Sequence, residues 1–220
     1  MSVPDIRVIR LRDRDIAITD AMRREIVDEM PEIEWIGDKT LRRNVTDAWA
    51  AAIASAGFVR IGDMKPSGNF DDLPLRTGTQ ADHIRSVARL SLKIAEEMDE
   101  LFPDFHYDRD MMIAGALCHD IGKVWEFDPD NVARWKADPR KVGSPSLRHP
   151  GYGIHICLSA GLPEAVVHMA AAHSGEGELL SRSLENTILR WADHTFWQVA
   201  QAAELLDPQS TWQPPEKNGA

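Results

Sequence analysis

Cysteine is scarce in this sequence: it has two, Cys118 and Cys157, and they form no CxxC pair. Both lie in apolar helical contexts, so two reduced core thiols are expected rather than a disulfide. Positive charge is also in short supply. Lys and Arg number 25 against 35 Asp and Glu, a formal net charge of -10, and no basic patch with interleaved aromatics occurs. That balance argues against nucleic acid or an anionic membrane as the main partner. No apolar run is long enough to span a bilayer. The stretch Met1 to Asp15 is salted with Asp and Arg and lacks the apolar centre of a signal peptide, so a cytoplasmic location is the default expectation. No internal repeat is present.

A chain of 220 residues fits one domain, or one domain with an appendage, and is long enough to bury a good core. Ile6 to Leu11 alternates apolar and basic residues and suits one short edge strand. The pattern predicts a helix from about Thr19 to Met30, closed by Pro31. A second begins near Asp38 or Thr40, carries Leu41, Val45, Trp49 and Ile53, and ends at Gly57. Pro66, Gly68 and Pro74 then mark a long loop over 62–78, either a linker or a functional segment covering the mouth of a site. Residues 1–78 are therefore read as an N-terminal helical appendage with its loop, 79–207 as the main domain, and 208–220 as a loose tail.

Beyond residue 79 almost everything reads as helix. Thr79 and Asp82 form a capping box, opening a helix whose apolar face is predicted to carry Val87, Leu90, Ile94, Met98 and Leu101. His83 lies one turn before Val87 and points inward with that face. Asp108 suits the N-cap of the next helix. Pro150 is placed at the first helical position, with His149 at or near the cap. Pro163 opens a helix ending in His173-Ser174-Gly175. The last helix, roughly Leu184 to Leu206, carries Ile188, Leu189, Ala192, Phe196 and Val199, with Asp193 one turn after Leu189 on the apolar side.

The chemistry centres on Ala116-Leu117-Cys118-His119-Asp120-Ile121-Gly122-Lys123. Adjacent side chains on a helix diverge by about 100°, so His119 and Asp120 meet at one ion only where the helix ends, and Gly122 suits a cap that ends it. His83, His149, His173 and Asp193 recur in similar settings. A lone charged Asp193 on an apolar face costs several kcal/mol unless it is paired or bound to a cation. Imidazole nitrogen with carboxylate oxygen suits Fe, Mn, Zn, Ni or Co better than Ca or Mg alone, so a cation held jointly by histidines is expected.

In order along the chain, His83, His119-Asp120 and Asp193 resemble the H…HD…D pattern of the HD-domain superfamily of metal-dependent phosphohydrolases. His149 and His173 match the two extra histidines of its binuclear members. The resemblance covers about residues 79–207. It implies an all-α HD-domain helical bundle, with one metal on His83, His119, Asp120 and Asp193. A second would sit on His149, His173 and the other oxygen of a bridging Asp120, so the resemblance implies two divalent transition-metal ions, Fe or Mn first, with Zn, Ni, Co and Mg as alternatives. It also implies metal-bound hydroxide attacking the phosphorus of a phosphate ester or nucleotide-like anionic small molecule, with Asp120 and Lys123 as catalytic residues and Lys123 and Arg148 on substrate. Without a GYP motif after His173, the cyclic-dinucleotide branch is disfavoured. The same six ligands also serve mixed-valent di-iron oxygenases that resemble inositol oxygenase, and a third reading is a non-catalytic nucleotide or metal sensor. Oligomeric state is left open, with a homo-oligomer as one outcome.

Weaker candidates have ordinary readings beside them. Lys123 also suits a solvated helix-end cation, Arg148 a surface arginine, and Glu176 a loop glutamate. His155 and His168 suit packed core histidines, with His168 the rival to His173. Trp191 and Trp197 are expected to pack in the core, Arg190 to lean to the surface, His194 to point away from Asp193, and His106 to be exposed.

Overall fold

A computed structural model describes residues 5–69 and 71–210 of the chain; the loose tail expected over 211–220 lies outside them. The fold is helical apart from one antiparallel hairpin, β1 (Arg7–Leu11) and β2 (Arg14–Ile18), joined through Arg12 in the left-handed region. The alternation in β1 is legible in sequence. Its partner is missed because Arg14 and Asp15 hide the apolar side of β2, where only Ile16 and Ile18 turn inward.

Two helices follow, α1 (Asp20–Glu29) and α2 (Lys39–Ser55), capped by the side chains of Thr19 and Asp38. Asp47 on α2 is fully buried and gathers three arginines, Arg23 at 2.7 Å, Arg7 at 3.1 Å and Arg43 at 3.6 Å. That cluster ties the hairpin and α1 to α2, because an unpaired buried carboxylate would cost far more than the pairs gain. The loop after α2 leads into α3 (Gln80–Leu101), where Thr79 and Asp82 make the capping box that the sequence predicts. Next come α4 (Arg109–Cys118), a single turn α5 (Lys123–Glu126), α6 (Pro129–Ala137) and α7 (Pro139–Val142). The chain closes with α8 (His149–Ser159), α9 (Glu164–Ala172) and α10 (Leu184–Ala202). Helix α4 lies at the centre, packed by α3, α9, α10 and α2.

One apolar cluster runs from Ile9 in β1 through Val45 and Trp49 in α2 to Leu189 in α10. Trp49 is fully buried and its Nε1 donates to the carbonyl of Leu117 at 2.9 Å. It therefore satisfies one of the orphan carbonyls in the last turn of α4. No helix among the described residues is long and apolar enough to cross a membrane.

Several side chains depart from their predicted places. On α3 the residues turned inward are Ile84, Val87, Ala88, Leu92 and Ala95, while Leu90, Ile94, Met98 and Leu101 are exposed. The helix carries two apolar stripes, and the inward one includes the small residues Ala88 and Ala95. The larger residues face outward, where Leu90 joins Leu75, Phe196, Val199 and Leu205 in an apolar groove between α3 and α10. Val199 and Trp191 on α10 are likewise exposed. Gly122 is not a left-handed cap: its φ is -70°. It is glycine because a Cβ there would sit 1.9 Å from the carbonyl oxygen of His149. Arg148, not His149, caps α8, which puts His149 at the first helical position and Pro150 at the second. Both cysteines are free and buried, as expected.

Candidate metal centre

Helix α4 stops at Cys118, and a turn through residues 119–122 carries His119 and Asp120 to the point where α3, α8, α9 and α10 converge. His83 comes from the first turns of α3, His149 from the start of α8, His173 from the residue that ends α9, and Asp193 from the middle of α10. All six residues are brought together. Donor atoms of His83, His119 and Asp120 lie within 4.8 Å of one another, as do those of Asp120, His149 and His173, and of His119, His173 and Asp193.

Asp120 stands between two groups. Its Oδ2 is 3.3 Å from the Nε2 atoms of both His83 and His119, while its Oδ1 is 3.5 Å from His149 Nε2 and 3.7 Å from His173 Nε2. Asp193 Oδ1 lies 3.3 Å from His83 Nε2 and 3.9 Å from His119 Nε2.

The tautomers follow from the carbonyls nearby. His119 Nδ1 donates to Ala116 O at 2.6 Å, and His173 Nδ1 lies 3.1 Å from Met169 O. A carbonyl only accepts, so each Nδ1 carries the hydrogen and each Nε2 presents a lone pair to the centre. His149 Nε2 and His173 Nε2 are 3.2 Å apart, and Nδ1 of His149 is taken by Glu126.

Buried polar atoms are normally satisfied. Here His83 Nε2, His119 Nε2 and Asp193 Oδ1 are buried with no hydrogen-bond partner. Lone pairs aimed at one another in a buried space fit a cation, and a mixed imidazole and carboxylate set fits a divalent transition ion. The electrostatics agree. Burial works against charge on Asp120, yet Lys123 and His119 hold its carboxyl well below the usual range. Burial opposes Asp193 too, and the close imidazoles of His83 and then His119 still lower its pKa. For His83, the carboxylates of Asp120 and Asp193 outweigh burial and raise the pKa. Burial depresses that of His149, against the pull of Glu126 and Asp120.

Lys123 is buried beside the centre, its Nζ 2.7 Å from Asp120 Oδ2 and donating to Ser67 O at 2.8 Å. It reaches Asp120 from α5 rather than from a continued α4. Arg148 does not line the cavity above the centre; its guanidinium meets Asn69, Glu126 at 3.0 Å and Glu176 at 3.3 Å. His168 accepts from Ser183 N and His155 from Arg12 N, so neither joins the centre, and His106 is exposed. Arg190 does not lean away: it donates to His173 O at 3.2 Å and pairs with Glu178 at 2.5 Å.

A cavity of about 620 Å³ opens above Asp120, His149, His173 and Asp193. One wall is the loop residues Gly68, Asn69, Asp71, Asp72 and Leu73, and the opposite wall is Arg190, His194, Trp197, Gln198 and Gln201 of α10. Trp197, expected in the core, instead stands half-buried at this wall with its ring centroid 4.7 Å from that of His83.

Sequence reasoning passed over Gln80 and Glu126. Gln80 is fully buried and its Nε2 donates to Asp120 Oδ2 at 2.8 Å, but as the residue after a helix cap it gives no sign of this. Glu126 did give one, as a lone acid in the apolar run Val124-Trp125-Glu126-Phe127.

Comparison with known proteins agrees with the geometry. The family model described as HD domain matches residues 81–197. Among curated proteins, the chain is similar to the dihydroneopterin 2',3'-cyclic phosphate phosphodiesterase of Methanocaldococcus jannaschii, at 25% identity over 127 residues. That match takes in 57% of this chain and 49% of the relative, so the chain spans about half of the relative's length. No solved structure matches.

Proposed function

This chain belongs to the HD domain family, and from that premise we propose that it is a metal-dependent phosphohydrolase acting on a small anionic phosphate ester. The observation that carries the reading is the set of buried, unpartnered polar atoms on His83 and His119 at one oxygen of Asp120, with Asp193 Oδ1 3.3 Å from His83 Nε2. His149 and His173 gather at its other oxygen. His83, His119, Asp120 and Asp193 would hold one divalent ion, and Asp120, His149 and His173 a second. Bound there, such ions supply Lewis acidity and a nucleophile drawn from water at neutral pH.

The remaining work falls to the chain itself. Gln80 donates to Asp120 Oδ2 and the ammonium of Lys123 pairs with the same oxygen, and together they would hold the carboxylate between the two groups of ligands. Lys123, held also by Ser67 O, is almost completely buried and does not line the cavity, so its charge would act on the reaction through Asp120 rather than by contact with a phosphoryl oxygen. The organic part of the substrate would lie between the wall of Asn69, Asp71 and Asp72 and that of Trp197, in a space large enough for a nucleotide-sized molecule. Arg148, already engaged by two carboxylates, would act on the rim of the site rather than on the substrate. The relative's cyclic phosphodiester is the first substrate class to try.

Phosphate ester cleavage should be measured on a panel of cyclic phosphodiesters, phosphomonoesters and nucleotides, with protein loaded with Mn2+ or Fe2+ and with protein stripped by chelation. Cleavage by loaded protein alone supports the reading. Metal-loaded protein that cleaves no ester and consumes oxygen with an organic substrate overturns it in favour of the oxygenase chemistry.

A further inference from the structure

Three of the four histidines at the centre have a fixed Nδ1, but not in the same way. His119 and His173 give theirs to carbonyls of their own helices, at Ala116, Met169 and Ala170. His83 Nδ1 has no partner. His149 alone among the four gives its Nδ1 to a carboxylate. Glu126 Oε2 lies 2.7 Å from that ring nitrogen and accepts the backbone N–H of the same residue at 2.7 Å. Glu126 is completely buried. Its other oxygen lies 3.0 Å from Arg148 Nε.

The geometry points to Glu126 as the positioning residue of the second ion site, with Arg148 as its counter-charge; this assignment rests on the binuclear reading above. One oxygen holds both the main chain and the ring of His149, so the ring cannot rotate about either side-chain torsion without breaking a charge-assisted hydrogen bond. The held ring aims Nε2 at His173 Nε2 and Asp120 Oδ1, at 3.2 and 3.5 Å. An anionic acceptor also raises the basicity of the ligating nitrogen, which a backbone carbonyl does more weakly. The two ion sites are therefore held by different means: the first by Gln80 and Lys123 acting on Asp120, the second by Glu126 acting on His149.

Glutamate is also the residue that fits here. Lys123 and Glu126 occupy the single turn α5, three residues apart, and both point into the protein. Backbone contact between Gly122 and His149 sets the spacing between α5 and α8. Aspartate, one methylene shorter, would not reach Nδ1 from the same backbone.

Loss of the partner that orients a ligating histidine costs about 10–100-fold in metal affinity. The test is a titration of chelator-stripped full chain with Mn2+ alone, read by calorimetry and by metal content after gel filtration, for wild type, Glu126→Gln and Glu126→Asp. Expected are two ions on wild type, and in both variants one ion bound as in wild type with the other weakened by at least about tenfold. Melting of the stripped proteins controls for folding. Should Glu126→Gln not fold, Glu126→Asp carries the test, since it keeps the charge and loses the reach. Wild type with two ions and variants with two unchanged affinities overturn the role of Glu126 alone, and so does equal weakening of both ions. Wild type that takes up fewer than two ions overturns the binuclear reading and this assignment with it.

Discussion

Replacing Gly122 by alanine tests how α8 is held against the HD turn. At φ -70° the backbone of Gly122 suits any L residue, so the cost of Gly122→Ala is steric and not conformational. The new Cβ would stand 1.9 Å from His149 O, 2.6 Å from Gly153 N and 2.8 Å from His149 C. These are main-chain atoms and cannot swing aside. Reaching even 3.0 Å requires α8 to retreat by about 1.1 Å, and overpacking of this kind costs about 1–3 kcal/mol or more. At the upper figure, about 3 kcal/mol, a chain of this size should melt about 6–12 °C lower. His149 rides on the displaced main chain, so the ring leaves Asp120 by a similar distance. A misplacement of about 1 Å can cost about 100-fold in rate.

Two other glycines supply the controls. At Gly153 the added Cβ would meet Ala170 Cβ at 3.4 Å and Ile121 Cγ2 at 3.7 Å, ordinary contacts in mid-helix, so Gly153→Ala should be neutral or stabilising by up to about 1 kcal/mol. At Gly115 the clash is with the flexible end of Met169, at 2.0 Å to Cε, so Gly115→Ala should fall between the two. Thermal melts with and without Mn2+, beside ester cleavage, decide the matter. Gly122→Ala that melts with wild type and retains two ions would refute the account of how α5 and α8 meet.

Further outcomes are expected elsewhere. Asp120→Ala should lose the first ion and weaken the second, and His149→Ala should lose mainly the second; metal content after gel filtration checks both, and Asp120→Ala with full metal content and activity would remove the bridging role. Trp49→Phe should cost about 1–3 kcal/mol, because it leaves the carbonyl of Leu117 buried without its donor, and a denaturant midpoint reads this out. Asp110 accepts the N–H groups of Gly37 and Asp38 at 2.9 and 2.7 Å, and the first of these bonds chiefly lowers its pKa against the opposing effect of burial. A depressed carboxylate stabilises the fold above its unfolded pKa of about 3.9, and the contribution fades as pH falls through the folded value. Asp110→Asn should therefore be about 1 kcal/mol less stable at pH 7, a figure reduced for solvent screening, and the gap should close below about pH 4.

Much of the centre was legible because its ligands sit at positions with a local signature. His119-Asp120 ends an apolar helix just before a glycine, and His173 ends another. Asp193 is an acid on an apolar face that needs a partner. Hydrophobic periodicity also found α1, α2 and α3 with their capping residues. It could not choose between the two stripes of α3, since that depends on which neighbour packs closer. Nor could it join Glu126 to His149, 23 residues on, or Gln80 to Asp120, 40 residues on. Those pairings exist only once α3, α5 and α8 have met. Gly122 was read from its commonest role, and only the main chain of a distant helix shows why it must be small.

The ammonium of Lys123 rests on the carbonyl of Ser67, and the cavity wall of Gly68, Asn69, Asp71, Asp72 and Leu73 precedes the matched HD region altogether. One wall of the cavity is thus encoded ahead of the matched region, while the ligands and most of the opposite wall on α10 lie within it. On the phosphohydrolase reading, grafting this leading stretch onto a relative's HD segment should shift its preference among esters while the ligand set stays untouched.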